Sequence, residues 1–156
     1  MLVGDIMHTG VRTAEADDTF ADVAKIMRTH GISSVVMLGA AGELAGIVTE
    51  RDLVNLIAAG GDPQTVRVVH GMTRRNLETV DPKTDIAEAA DKMVSLNIRH
   101  LPVLDGGKVV GIISIRDLTR WAAEELSGGH EMPDIARSQK ALRAASELQK
   151  QRKLSS

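Results

Sequence analysis

The chain has 156 residues, 43% of them hydrophobic and 26% charged, with a formal net charge of −2, the balance of one globular unit with a real core. One Phe, one Trp and no Tyr leave that core to Val, Ile, Leu, Met and Ala; exposed rings for stacking bases are missing, so no nucleic-acid partner is expected. With no Cys, disulfides, thiolate metal sites and Cys nucleophiles are excluded. No apolar run is long enough to span a bilayer, and the N-terminus does not read as a signal peptide, so no membrane partner and a cytoplasmic location are expected.

In chain order the elements occur twice. Asp5-Ile6-Met7 opens the first copy and leads into a short predicted strand at Val11-Arg12-Thr13. A helix follows with Phe20, Val23, Ala24 and Met27 at i, i+3, i+4, i+7, the spacing of one buried stripe. Ile32 to Leu38 and Leu44 to Val48 read as two strands around the turn Gly39-Ala40-Ala41-Gly42, and a second helix carries Leu53, Leu56 and Ile57. Gly60-Gly61-Asp62-Pro63 closes the copy. The second copy opens at His70-Gly71-Met72, with a strand over Leu77-Glu78-Thr79-Val80 and a helix striped by Ile86, Ala89, Ala90 and Met93. Strands at Ile98 to Leu104 and Val109 to Ile113 flank Asp105-Gly106-Gly107, and a last helix carries Leu118, Trp121 and Ala122.

Each unit is β-α-β-β-α. The predicted fold is therefore α/β, with repeats at 1–60 and 67–127, a linker at 61–66 and a basic tail at 128–156. One copy has too little core to stand comfortably alone; two facing each other through their sheets would form a pseudo-twofold pair with two equivalent clefts.

The best-matched strings are Gly46-Ile47-Val48-Thr49-Glu50-Arg51-Asp52-Leu53 and Gly111-Ile112-Ile113-Ser114-Ile115-Arg116-Asp117-Leu118. The hydroxyl residue sits where strand becomes helix, at free N–H groups and the positive end of the helix dipole, which suit a phosphate. Arg can add a charge-assisted hydrogen bond. Asp three residues after the hydroxyl could accept from both hydroxyls of a ribose, and the Gly could let a ligand approach the backbone. Taken singly, Ser/Thr-x-x-Asp also reads as a capping box that only starts a helix. Duplication of the whole string inside a repeated fold favours the ligand reading.

These strings, with Ile98-Arg99-His100-Leu101-Pro102-Val103 upstream, resemble a CBS domain pair, or Bateman module, over roughly residues 1–126. The resemblance implies a stand-alone regulatory module, not an enzyme, that senses AMP, ADP, ATP or S-adenosylmethionine in clefts between the repeats, with or without magnesium. It also implies a homodimer that signals to an effector protein. Residue by residue, it assigns Asp52 and Asp117 to the ribose and Thr49, Arg51, Ser114, Arg116, Arg99 and His100 to the phosphate side. Val11, Thr13, Ile32, Leu77, Thr79, Val80 and Ile98 fall to the base pocket. The first copy has Ser33-Ser34-Val35-Val36 where the second has Arg99-His100-Leu101-Pro102, so unequal sites are expected. Two alternatives stand beside this reading: a constitutive homodimeric interaction module with little ligand binding, and a divalent-cation sensor using acidic clefts.

From Asp134 onward there are six basic and two acidic residues, a net +4 that leaves −6 for the rest. A helix is expected there from Asp134 to about Leu154, with a thin stripe of Ile135, Leu142, Ala145 and Leu148, docking on the protein itself or on an anionic partner. The five His show no metal-ligand spacing, and neither a P-loop nor a Rossmann fingerprint occurs.

Overall fold

The computed structural model describes residues 1–127 together with Arg143, Ala144 and Glu147. The predicted helix over 134–154 otherwise lies outside the described residues. The described chain is mixed α/β, with five α-helices and two small sheets. It divides into two compact units, one of residues 10–78 and 106–109, the other of residues 1–9, 79–105 and 110–156.

The unit that holds the first string is a three-stranded sheet with helices against it. Strand β1 (Thr13–Ala14) runs parallel to β2 (Ser34–Leu38), which pairs antiparallel with β3 (Leu44–Thr49). Helix α2 (Phe20–His30) starts at Thr19, whose side chain and that of Asp22 satisfy each other's backbone N–H in a capping box. It stops at Gly31, where φ is +63°, a left-handed cap that glycine adopts without a Cβ penalty. Of the expected stripe, Phe20, Val23 and Met27 are buried with Val35, Met37 and Val48, while Ala24 is half-buried. Val68 and partly buried Met72 join the same cluster. The 67–78 segment, which opens the second sequence copy, therefore completes the core of the unit holding the first.

Helix α3 (Glu50–Ala58) buries no residue: of the expected stripe Leu53 and Leu56 are half-buried, but Ile57 is 57% exposed, as is Val54 at 62%.

The other unit repeats the plan. Helix α4 (Ile86–Ser95), capped by Asp85, buries all four predicted stripe residues. Strands β4 (His100–Asp105) and β5 (Lys108–Ser114) form the hairpin, and α5 (Ile115–Ser127) buries Asp117, Leu118, Trp121 and Ala122. Asn97 (φ +52°) follows α4 as Gly31 follows α2, since Asn tolerates the left-handed region. Helix α1 (Val3–Ile6), which the sequence pattern did not suggest, brings Val3 into this core.

Two expected strands are shorter than predicted. Val11–Thr13 is β1 at Thr13–Ala14, and Leu77–Val80 is reduced to a single parallel bridge, Val80 to Val103. The cause is visible in the sequence: Val36 N–H donates to the Arg12 carbonyl at 3.0 Å, while the residue in Val36's place is Pro102, which has no N–H. In the tail, Ala144 is 6% exposed within this unit's core cluster, and Arg143 and Glu147 are exposed.

Candidate functional site

Both strings end a strand and begin a helix, β3 to α3 and β5 to α5. At each junction the hydroxyl residue and the acid close on one another. Thr49 donates to Asp52 Oδ2 from its N–H at 2.7 Å and from Oγ1 at 2.9 Å. Ser114 donates to Asp117 Oδ2 from its N–H at 2.8 Å and from Oγ at 2.6 Å, while Asp117 N–H returns a bond to Ser114 Oγ at 3.4 Å. The capping-box reading is therefore true of both strings: each hydroxyl proton is directed at its own acid. The box also fixes each carboxylate by one oxygen, Oδ2, and leaves the other, Oδ1, outside it.

Asp117 Oδ1 accepts from Arg120 Nη2 at 2.7 Å, and His8 Nε2 lies 3.0 Å from the same oxygen. Sequence reasoning named neither. Arg120 could have been found, since a residue three places after an acid on a helix faces it. His8 had no local signal; it arrives because His8 and Ile112 form an antiparallel bridge with reciprocal N–H to carbonyl bonds of 2.9 Å each. Thr73 and Ile47 make the matching bridge in the other unit.

These bridges also explain the glycines. A Cβ on Gly111 would lie 2.5 Å from Met7 Sδ and 3.0 Å from the His8 carbonyl; one on Gly46 would lie 2.6 Å from Met72 Sδ and 3.1 Å from the Thr73 carbonyl. The close approach that each Gly permits is that of the chain's own crossing segment, not of a ligand, which corrects the expectation drawn from the motif.

Arg99, Arg116 and Asp117 all act electrostatically on the His100 imidazole. Burial, then the Arg99 and Arg116 guanidiniums, outweighs the attraction of Asp117 and lowers the His100 imidazole from 6.5 to about 4. At neutral pH His100 is thus an uncharged hydrogen-bonding group, and cationic character at this junction comes from the arginines. In the other unit Arg51 is exposed beside half-buried Thr49 and Asp52.

Of the base-pocket candidates, Val11, Ile32 and Leu77 are half-buried and Thr13 exposed in the unit of the first string. Thr79 and Ile98 are half-buried in the unit of the second, the Thr79 carbonyl accepting from Lys92 Nζ at 3.0 Å. Val80 is a core residue, its N–H bonded to the Pro102 carbonyl and its own carbonyl to Leu104 N–H. No group of three or more acidic or His side chains suited to a metal ion exists among the described residues. No described helix is long and apolar enough to cross a membrane.

The profile of the CBS domain matches residues 3–59 and 67–124. The chain belongs to the CBS domain family. It is 36% identical over 118 residues to an uncharacterised protein of Methanopyrus kandleri, covering 74% of this chain and 60% of that one, so it spans about three fifths of that relative's length. Hypoxic response protein 1 of Mycobacterium tuberculosis is 32% identical over 121 residues, 77% of this chain and 84% of its own. Among solved structures, the CBS domain pair of protein MJ0100, in complex with 5′-methylthioadenosine and S-adenosyl-L-methionine, superposes with a TM-score of 0.72 at 30% identity, over 79% of this chain and 96% of its own. The two sequence copies are thus two CBS repeats, and the α/β class expected from their pattern is the one observed.

Proposed function

We propose that this CBS pair is a regulatory module that binds an adenosyl nucleotide through its Ser/Thr-x-Arg-Asp junctions and passes the ligand's level to a partner protein. The observation that carries the reading is the paired carboxylate, fixed by Oδ2 to its own hydroxyl residue, at the start of a helix with an arginine beside it. A ribose diol supplies two donors for such an acid, and the helix N-terminus with Arg51 or Arg116 supplies an anion's partners. The adenosyl ligands bound by the MJ0100 pair support the same class, here AMP, ADP, ATP or S-adenosylmethionine. Signalling follows if the ligand favours one arrangement of the module over another.

A thermal-shift series with these four compounds, each with and without magnesium, tests the reading. One of them should raise the melting temperature with concentration, equivalent to about 3 kcal/mol at a hundred times its dissociation constant. Asp52→Ala combined with Asp117→Ala should abolish the shift. A flat series with all four compounds would sink the proposal.

A second reading, a homodimeric interaction module, is favoured by Val54 and Ile57, which α3 holds in solvent at 62% and 57% exposure. Light scattering of Val54→Glu with Ile57→Glu distinguishes the two readings: dissociation to monomer supports the interface, and an unchanged mass removes it.

A further inference from the structure

The two acids carry the same motif and are not in the same state. Asp117 is 2% exposed; its oxygens accept Ser114 N–H (2.8 Å) and Oγ (2.6 Å) at Oδ2 and Arg120 Nη2 (2.7 Å) at Oδ1, and His8 Nε2 lies 3.0 Å from that same Oδ1. A carboxylate offers about four lone-pair sites, and at Asp117 four polar groups of the chain already face them. Asp52 is half-buried and accepts two bonds, both from Thr49 at Oδ2. Among the described residues none donates to its Oδ1. That leaves about two acceptor sites on Asp52, the number a vicinal diol fills.

The difference comes from two substitutions between the copies. Arg120 stands three residues after Asp117 where Asn55 stands three after Asp52. His8 faces Ile112 across its bridge where Thr73 faces Ile47. His8 and Arg120 side chains are 62% and 52% exposed, so both can leave the acid without opening the core.

We propose that Asp52 is the acid of this chain that takes the ligand's ribose diol, and that Asp117 is closed by an internal lock of His8 and Arg120. This rests on the adenosyl reading above and adds to it a rule of occupancy: one ligand binds freely, and a second binds only at the expense of the Arg120 bond and the His8 contact. The module then answers to one ligand concentration in its ordinary range and to a second, much higher one when the lock is displaced.

Exchanging the two distinguishing positions tests this by calorimetric titration of the whole chain with AMP, ATP and S-adenosylmethionine. The wild type should bind one equivalent, lost in Asp52→Asn. His8→Thr with Arg120→Asn gives the second copy the residues of the first and should add a second binding event. Asn55→Arg with Thr73→His transplants the lock and should weaken the first event roughly 10- to 100-fold. Two equal events in the wild type, or binding indifferent to both exchanges, would overturn the lock while leaving the adenosyl reading intact. If neither the wild type nor the unlocked variant binds any of the three compounds, the adenosyl reading fails instead. The lock is then judged without ligand: His8→Thr with Arg120→Asn must lower the melting temperature, and an unchanged value overturns it.

Discussion

Replacing His100 with Gln removes a half-buried imidazole of the second junction and with it an acid sensitivity that the structure makes calculable. In the folded chain this imidazole titrates at about 4, against 6.5 for a free histidine, because burial and the Arg99 and Arg116 guanidiniums oppose its protonation. Above pH 6.5 the group is neutral in folded and unfolded chains and contributes nothing to pH dependence. Below 6.5 the unfolded chain takes up a proton that the folded chain refuses, so stability falls as pH falls, until the folded group also protonates near 4. The separation is worth about 3 kcal/mol in full, and about 2 kcal/mol of it is lost between pH 7 and pH 5. The nearest carboxylate effect lies lower. Asp22 is held at about 2 by the Thr19 hydroxyl and Lys25, against 3.8 in free Asp, so its contribution is intact above pH 3.8 and fades only below it. Urea unfolding of the wild type and His100→Gln at pH 7 and pH 5 reads the double difference, in which the other titrating groups cancel. The wild type should lose about 2 kcal/mol more than the variant over that interval. Equal losses would refute the claim that His100 is kept neutral, and with it the conclusion that only the arginines bring positive charge to this junction.

Two further substitutions probe the frame around the sites. Trp121 is 7% exposed and its indole N–H has no hydrogen-bond partner among the described residues, so Trp121→Phe should cost under about 1.5 kcal/mol by removing an orphaned donor along with part of the ring, whereas Trp121→Ala should cost about 3–5 kcal/mol in denaturant unfolding. Gly111→Ala places a methyl 2.5 Å from Met7 Sδ and 3.0 Å from the His8 carbonyl, which should cost about 1–3 kcal/mol; adding Met7→Ala should recover only part of it, because the backbone contact remains.

What the sequence disclosed is what repeats at short range. The stripe Ile86, Ala89, Ala90, Met93 is buried in full because a helix's periodicity places those residues on one face whatever the rest of the chain does. The capping boxes are legible for the same reason: hydroxyl and acid lie three residues apart. Pro102 even carries in its own chemistry the loss of a strand bond that the first copy keeps. The bridges His8 to Ile112 and Thr73 to Ile47 are of another kind. They join segments far apart in the chain, and nothing in the composition of 1–9 or 67–78 says which hairpin each will cross. The motif glycines were therefore open to two readings, and the backbone that approaches them was visible only once the chain was folded.

The same distinction bears on function. Matching strings invite the conclusion of matching sites, since Thr49-Glu50-Arg51-Asp52 and Ser114-Ile115-Arg116-Asp117 differ little in what they offer locally. Yet an acid's capacity to bind is set by the donors it has not already met. For Asp117 two partners come from outside the string, the Arg120 donor a helical turn downstream and the His8 imidazole from the far end of the chain. The first copy lacks the basic pair before its second strand and looked the weaker site, but its acid keeps two acceptor positions for a ligand. The second copy has the richer set of basic residues, and its acid already faces two of them. A duplicated module can therefore diverge in response without altering its motif, by changing only the residues that face the motif's acid.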